Sequence, residues 1–578
     1  MKETPPSVTI VGAGIAGMSA ALRLLNAGCS VTVIEKTDRI GGQFGAVRDG
    51  TRYHEHAFHI FADWCQNFFA ICKDIGLDRE TLFAPRPAFL TLTPLEKEHK
   101  QGFKGREEDH FSRLEYLGAP AYFWKNANAG VAHWSDMVIY QYSVLDFLAD
   151  ESLDKEEGME FLNRVSVNGF IRSRGYASDM AALLHHELLL KVFAVPSYRT
   201  SARAYQTYLR HSAAFPPGSE GPDSRLVPNF WAMRGNVYTH FWEPFLKKLK
   251  ANGRFKLRTD EEVSAVRLTP KSGAPGNPPQ KVSHIVVGKK EQRVDKLLLA
   301  VPPAGLKNIL RNSPELAAAA PELLGVGELE AMPVPALNLY FKKNLVLPEE
   351  HITLLDPTDA FYMRDQSLAR KNGIASEYGL SLVDHSRLWP ELEGKGKTVL
   401  SVLASDAKLL MEEKDDVIKA RLIKTLQKYI RFTDADIDHA HLQTHRGEPL
   451  FVNTDGSWED RPEARLDEAP DRKFPRVQEK VSNLFLAGDY CRSKVDITSV
   501  EGAIVTGICA AHLIWNDVNA PIPLAPFDRE QVRRAKALLD GWIGLATQRA
   551  KQYFLAKRKE VEEKSERAMK EQQASSRR

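Results

Sequence analysis

The chain has 578 residues, more than one compact core holds, so two or more substructures are expected. Lysine and arginine number 78 against 75 aspartate and glutamate, which leaves no global field to steer nucleic acid, and no nucleic-acid partner is expected. Five cysteines, Cys29, Cys65, Cys72, Cys491 and Cys509, are scattered without a Cys-x-x-Cys pair; this argues against a disulfide framework or a zinc site and for a reducing, cytoplasmic setting.

In chain order, Ser7 to Val11 reads as a short buried strand, followed by a glycine-rich turn and a helix from about Ile15 to Ala27. Gly28 stops that helix, and Ser30 to Ile34 is a second strand. With a first strand beginning near Val8, no signal peptide is expected. Leu145 to Phe193 carries apolar stripes with few breakers and predicts mostly helix; Ala213 to Asp223 clusters Pro and Gly and predicts a loop. Phe255 to Leu268, Val282 to Gly288 and Lys296 to Val301 are strand-like, with a turn over Pro270 to Gln280. Ala336 to Phe341 and Thr398 to Leu403 are further strands, and Asp415 to Phe432 an amphipathic helix. Asn483 to Ala487 is one more buried strand, with a helix over Ser499 to Trp515. Its apolar part, Ala503 to Trp515, is too short to span a bilayer and contains His512, so the chain is expected to be soluble or peripherally attached. From Asp528 charge density rises and proline vanishes, which predicts one or two exposed helices fraying into Gln572–Arg578.

Residues 12–17, Gly12-Ala13-Gly14-Ile15-Ala16-Gly17, spell G-x-G-x-x-G between a strand and a helix, and the second strand ends in Glu35. Gly12 allows the tight turn, Gly14 lets the backbone approach a pyrophosphate, and Gly17 lets helix and strand pack closely. The helix start at Ile15 and Ala16 offers N–H donors and a positive dipole end. Glu35 can accept hydrogen bonds from ribose hydroxyls. These features predict a dinucleotide-binding βαβ unit without choosing the dinucleotide.

The continuation Lys36-Thr37-Asp38-Arg39-Ile40-Gly41-Gly42 resembles the E-x(5)-G-G extension of the FAD-binding amine oxidase and carotenoid desaturase superfamily. The resemblance implies that Lys36, Arg39, Gly41 and Gly42 run along the pyrophosphate of FAD, with Arg39 as a cation for the phosphates. Glu262-Val263 and Leu297 to Pro303 are similar to the family's adenine-side strand and its D-x-V-(I/V)-x-A-x-P-P element; Val263 would meet adenine. Gly488-Asp489-Tyr490, then Ser499-Val500-Glu501-Gly502-Ala503, resemble the family's C-terminal flavin segment. There Asp489 would face the ribityl chain. The helix start at Val500, Glu501 and Ala503, N-capped by Ser499, would face the flavin pyrimidine edge. Glu501 also has a simpler reading, as an acidic residue complementing the dipole of a first helical turn.

His54-Glu55-His56-Ala57-Phe58-His59-Ile60-Phe61 resembles the Y-E-T-G-L-H-I-F stretch of plant-type phytoene and ζ-carotene desaturases. This likeness runs from about Val8 to Trp515, loosely between Pro85 and Trp134. One departure is Gly235-Asn236-Val237-Tyr238-Thr239-His240, where that group carries G-N-P-P-E-R. His240 thus replaces an arginine that the group places close to the flavin.

The implied fold is α/β: a Rossmann-like FAD-binding domain of glutathione-reductase type assembled from discontinuous segments, an α+β substrate domain and a helical tail. The expected segments are 1–84, 235–330 and 476–520 for FAD, 85–234 and 331–475 for substrate, and 521–578 for the tail. The implied activity is desaturation or other oxidation of a hydrophobic isoprenoid or polyene substrate, with hydride transfer to flavin and quinone or O2 as electron acceptor. Glu55, His59 and His240 are the candidate catalytic residues, and Phe58 and His59 also candidate flavin contacts. The alternatives are a peroxide-producing amine or amino-acid oxidase and a non-redox isomerase. No metal is expected: His54, His56 and His59 lack an accompanying carboxylate-rich helix. In the tail, Trp542, Ile543, Leu545, Ala546, Tyr553 and Phe554 lie among Arg and Lys, as in a helix that can rest on a membrane surface or meet a partner.

Overall fold

Five of the apolar runs assemble into one all-parallel sheet in the computed structural model of the chain. The structure describes residues 4–86, 88–92, 95, 111–115, 132–212, 230–270, 280–347, 351–354, 377–392, 394–447, 449–467, 473–524 and 527–575. The sheet's spatial order is Phe255–Arg258, Ser30–Ile34, Ser7–Val11, Lys296–Leu299 and Leu484–Leu486. Both of its faces are covered, as parallel sheets require. Leu298 and Phe485 face the helices Ile15–Asn26 and Val500–Ile514. Leu297, Leu299 and Leu486 face the small antiparallel sheet Val263–Leu268, Val282–Val287 and Lys290–Arg293. The first helix ends where Gly28 adopts a φ of 93°.

The stretch Phe255 to Leu268 is not one strand. It divides between the parallel sheet and the antiparallel one. Asp260 turns the chain at a φ of 58°, and the Asp260 and Glu261 N–H groups donate to the carbonyls of Thr37 and Glu35. The helix beginning at Asp415 stops at Leu426, short of Phe432, because Tyr429, Ile430 and Phe432 turn into the core beneath the large sheet. The predicted loop Ala213–Asp223 and residues 271–279 of the predicted turn lie outside the described residues.

The second body centres on a seven-stranded sheet in the order Ile437–Gln443, Ala336–Phe341, Val399–Ala404, Leu380–Asp384, His351–Leu354, Ala88–Leu92 and Phe111–Glu115. All its neighbours are antiparallel except His351–Leu354 beside Ala88–Leu92. A three-stranded sheet, Ile60–Ala62, Phe230–Met233 and Phe83–Arg86, stands between the two bodies. The predicted helical region, Leu145 to Phe193, holds the end of helix Trp134–Ala149 and the helices Glu156–Asn163, Val167–Arg172 and Asp179–Phe193.

The tail is a single helix, Arg529–Ser575, and not wholly exposed. Ala546 and Ala550 are buried against Val138, Ile139 and Tyr140, and Tyr142 Oη donates to Asp540 at 3.0 Å. Among the described residues no helix is long and apolar enough to cross a membrane.

Candidate functional site

The glycine hexamer performs the steric tasks its spacing predicts. A Cβ on Gly12 would lie 2.3 Å from the Ala300 carbonyl oxygen, and one on Gly17 would lie 2.2 Å from the Gly12 carbonyl oxygen. A Cβ on Gly14 would meet nothing within 4 Å, so the turn leaves open space there. Gly14 is the N-cap of the first helix, which has neither a side-chain cap nor an acidic residue in its first turn, so its positive end is uncompensated. Glu35 accepts from Ala13 N at 2.9 Å and from Thr37 N and Oγ1 at 3.0 and 2.9 Å. Ile15 and Ala16 are buried at the helix start; Lys36 and Arg39 are exposed on the following loop. Gly41, at a φ of 108°, pairs with Gly14 through a bridge, so the extension returns to the glycine turn. Val263 opens the small antiparallel sheet and is buried.

The C-terminal segment closes the same cradle. Ser499 caps the helix Val500–Ile514 by accepting from Gly502 N at 3.0 Å, as its sequence position predicts. Ala503 is buried one turn in. Thr506 Oγ1 accepts the Gly488 N–H at 3.0 Å, and burial pushes the Asp489 carboxyl up to about 6 despite the opposing charge of Arg461. Glu501 is buried with its carboxylate turned to the helix Gln66–Asp74, where it accepts from Asn67 N and Nδ2 at 2.9 Å and from Phe68 N at 2.8 Å.

Beside the cradle lies a pocket walled by Phe44, Phe58, Ile60, Met233, Leu388 and Trp389, with Glu55, His59 and His385 as its ionisable groups. Phe44 belongs to the short turn Gly42–Phe44, so the pocket adjoins the glycine pair. Glu55 ends the hairpin strand Arg52–Glu55, and its Oε1 accepts the Val237 N–H at 2.8 Å. Burial pushes its carboxyl up to about 8. Burial lowers His59 to about 4, and its Nδ1 has no hydrogen-bond partner. Burial lowers His385 to about 3, neither of its ring nitrogens is paired, and it stacks on Trp389 at 4.0 Å.

His240 stands one layer outside this lining. It sits in the π-helical turn Tyr238–Trp242 with Nδ1 3.3 Å from the Asn236 carbonyl oxygen, and a Cβ on Gly235 would fall 2.3 Å from that nitrogen. His54, His56 and His59 diverge despite their spacing. His54 stacks on His441, His56 on His445, and His59 meets Phe44 edge-on. Sequence reasoning missed His385 and Trp389 because it did not anticipate their supporting strand, Leu380–Asp384. Its uninterrupted burial gives no period-2 alternation to read.

Comparison with known proteins agrees with this geometry. The "Flavin containing amine oxidoreductase" family matches residues 15–514. A probable zeta-carotene desaturase of Synechococcus elongatus is 25% identical over 529 residues, covering 87% of this chain and 97% of that protein. A 15-cis-phytoene desaturase of the same organism is 23% identical over 526 residues, covering 88% and 95%. A solved putrescine oxidase variant superposes with a TM-score of 0.56 at 16% identity, over 88% of this chain and 99% of its own. A glycine turn with open space, an uncompensated helix start and an enclosed carboxyl fit FAD, and the chain belongs to the flavin-containing amine oxidoreductases as an FAD-dependent oxidoreductase.

Proposed function

We propose that the chain desaturates a hydrophobic, isoprenoid-type substrate, converting a CH–CH unit to C=C. Bound FAD supplies the two-electron acceptor, and a quinone then takes the electrons onward. Gly12, Gly14, Ile15, Ala16 and Gly17 would seat the pyrophosphate, with Glu35 on the ribose, Val263 on the adenine side, and Lys36, Arg39, Gly41 and Gly42 along the extension. Gly488, Asp489 and the helix start at Val500, Glu501 and Ala503 would complete the flavin end.

The observation that carries the reading is the pocket beside Gly42–Phe44: among the described residues its lining has apolar walls, no lysine or arginine, and three ionisable side chains. An unactivated C–H has no acidic proton to remove first. The site must therefore hold an apolar chain against the flavin, exclude water and accept one proton. Phe58 and its apolar neighbours do the first two. Of the ionisable groups, His59 and His385 are held neutral and would accept the proton, whereas burial keeps the Glu55 carboxyl protonated near neutral pH, so it could pass a proton on but not take the first one. His240 acts on the pocket through Gly235, as a positioning residue. The near-full-length similarity to carotene and phytoene desaturases supports the same substrate class.

The apolar substrate would be met at a membrane surface through the tail helix. Leu538, Trp542 and Leu545 are 75%, 56% and 42% exposed and share one helical face, flanked by Arg534 and Arg549.

Anaerobic reduction followed by reoxidation tests the reading. Rapid reoxidation by a quinone and slow reoxidation by O2 are expected. Rapid O2 reoxidation with stoichiometric peroxide would identify an amine or amino-acid oxidase instead. Mass spectrometry of lipid extracted from the purified protein should return an isoprenoid-type molecule.

A further inference from the structure

Outside the flavin site, three imidazoles gather where the hairpin Ala46–Asp49/Arg52–Glu55 meets the edge strand Ile437–Gln443. His54 comes from the hairpin and has no exposed surface. His439 and His441 stand two apart on the strand and so share one face. The His54 ring lies over His441 at 3.8 Å with 11° between planes, and 5.7 Å from the His439 ring. One ring nitrogen from each histidine falls within 4.8 Å of the other two.

The hydrogen-bond inventory of this cluster is incomplete. The Nε2 atoms of His54 and His439 are both buried and both lack a partner. The nearest acceptor to each is the same atom, Asp49 Oδ2, at 3.6 and 3.7 Å. Those separations exceed a hydrogen bond, yet the oxygen is nearly equidistant from the two nitrogens. Buried imidazole nitrogens with no partner are a standing cost unless something absent from the polypeptide satisfies them.

Other groups around the cluster leave these lone pairs free. Arg52 is drawn off to Asp438, with Nη2 to Oδ2 at 3.1 Å, and Tyr340 Oη donates to the Tyr53 carbonyl oxygen at 3.0 Å. Three imidazoles and one carboxylate oxygen are the ligand types of zinc, not of the oxygen-seeking magnesium or calcium. Tetrahedral zinc with Zn–N of about 2.0–2.1 Å needs nitrogens ~3.4 Å apart. His439 and His441 are half-buried on an edge strand, so side-chain rotation rather than backbone movement would bring their nitrogens to that spacing.

We propose that His54, His439, His441 and Asp49 form a zinc-class divalent-cation site that clamps the hairpin to the edge strand of the seven-stranded sheet. The site is distinct from the flavin chemistry but mechanically linked to it. His54 immediately precedes Glu55, whose carboxyl holds Val237 N–H in the pocket wall. Clamping the hairpin fixes that wall. Tyr340 Oη, 3.4 Å from His54 Nδ1, holds the ring from its other side.

The test uses the full-length, FAD-loaded protein, stripped with a chelator and then titrated with Zn2+ and, separately, Co2+. One equivalent of zinc per chain by elemental analysis is expected. Co2+ should give the ligand-field bands of a tetrahedral N/O site, to the red of the flavin absorption. The double variant H439Q/H441Q should weaken Zn2+ binding by about 100-fold or more while leaving flavin content unchanged. Asp49→Asn should weaken it by less. His54→Leu should abolish it; if that variant does not fold, the double variant on the half-exposed strand decides. Sub-stoichiometric uptake by the wild-type chain, or uptake unchanged in the double variant, would overturn the proposal. None of these readouts depends on the substrate.

Discussion

The carboxylate of Glu501 accepts the backbone N–H of Asn67 at 2.9 Å across 434 residues of sequence, and Phe68 N–H donates to its second oxygen at 2.8 Å. One acidic residue at the start of the last Rossmann helix thus supplies acceptors for the first turn of another helix. Truncating it to alanine strands these buried donors and should cost roughly 1–3 kcal/mol for each group left unpaired. Urea denaturation midpoints at constant slope measure the loss.

The same carboxyl makes stability depend on pH. Burial outweighs its three hydrogen bonds and raises it from 4.5 to about 7. Between those values the folded state binds more protons than the unfolded state, so stability falls as pH rises through the window, by an order-of-magnitude total of about 3 kcal/mol. Below the lower value the penalty is absent. Glu501→Gln should flatten this slope in unfolding measured at pH 5 and pH 8. It is nevertheless destabilised at low pH, since an amide NH2 then faces Phe68 N–H.

Gly507 lies inside a helix, where alanine would ordinarily be favoured by about 1 kcal/mol. A Cβ there would fall 2.3 Å from the Ala16 carbonyl oxygen in the first helix. Gly507→Ala should therefore destabilise by about 1–3 kcal/mol through overpacking and shift the start of the first helix, next to the glycine turn. Thermal unfolding and the flavin-to-protein absorbance ratio of the purified variant report the two effects.

His385 and His59 are lowered to about 3 and about 4 by burial, so both are neutral proton acceptors from pH 5 upward. Substrate-driven flavin reduction should show no limb from either imidazole between pH 5 and 7. Replacing His385 with phenylalanine keeps the stacking on Trp389 and removes the acceptor. A drop of about 100-fold in the anaerobic reduction rate, with flavin content unchanged, is expected. Stopped-flow absorbance measures it.

Leu538, Trp542 and Leu545 form an exposed strip that borders the face burying Ala546 and Ala550. Replacing Leu538 and Trp542 together with glutamate should abolish co-sedimentation with anionic phospholipid vesicles and leave the melting temperature nearly unchanged. Surface substitutions of this kind typically stay within about 0.5 kcal/mol.

The nucleotide unit was legible in the sequence because its constraints are local. The strands Ser7–Val11 and Ser30–Ile34, the helix starting at Ile15, the stop at Gly28 and the Ser499 cap each follow from periodicity or steric rules acting over a few residues. Phe255–Leu268 misled because a strand-like composition does not reveal which sheet pairs with it; only the carbonyls of Thr37 and Glu35 decide where it turns. The pocket was half legible. Glu55 and His59 lie within a contiguous motif, whereas His385 enters from a strand more than three hundred residues later. The histidines show the division most sharply. Spacing put His54, His56 and His59 together, but His54 lies in the strand Arg52–Glu55 whereas His56 and His59 follow its end, where strand alternation no longer aligns them. Burial and strand register then sent His54 to His439 and His441, His56 to His445, and His59 to the pocket. Short-range sterics fixed the dinucleotide cradle; long-range packing alone decided which ionisable groups meet.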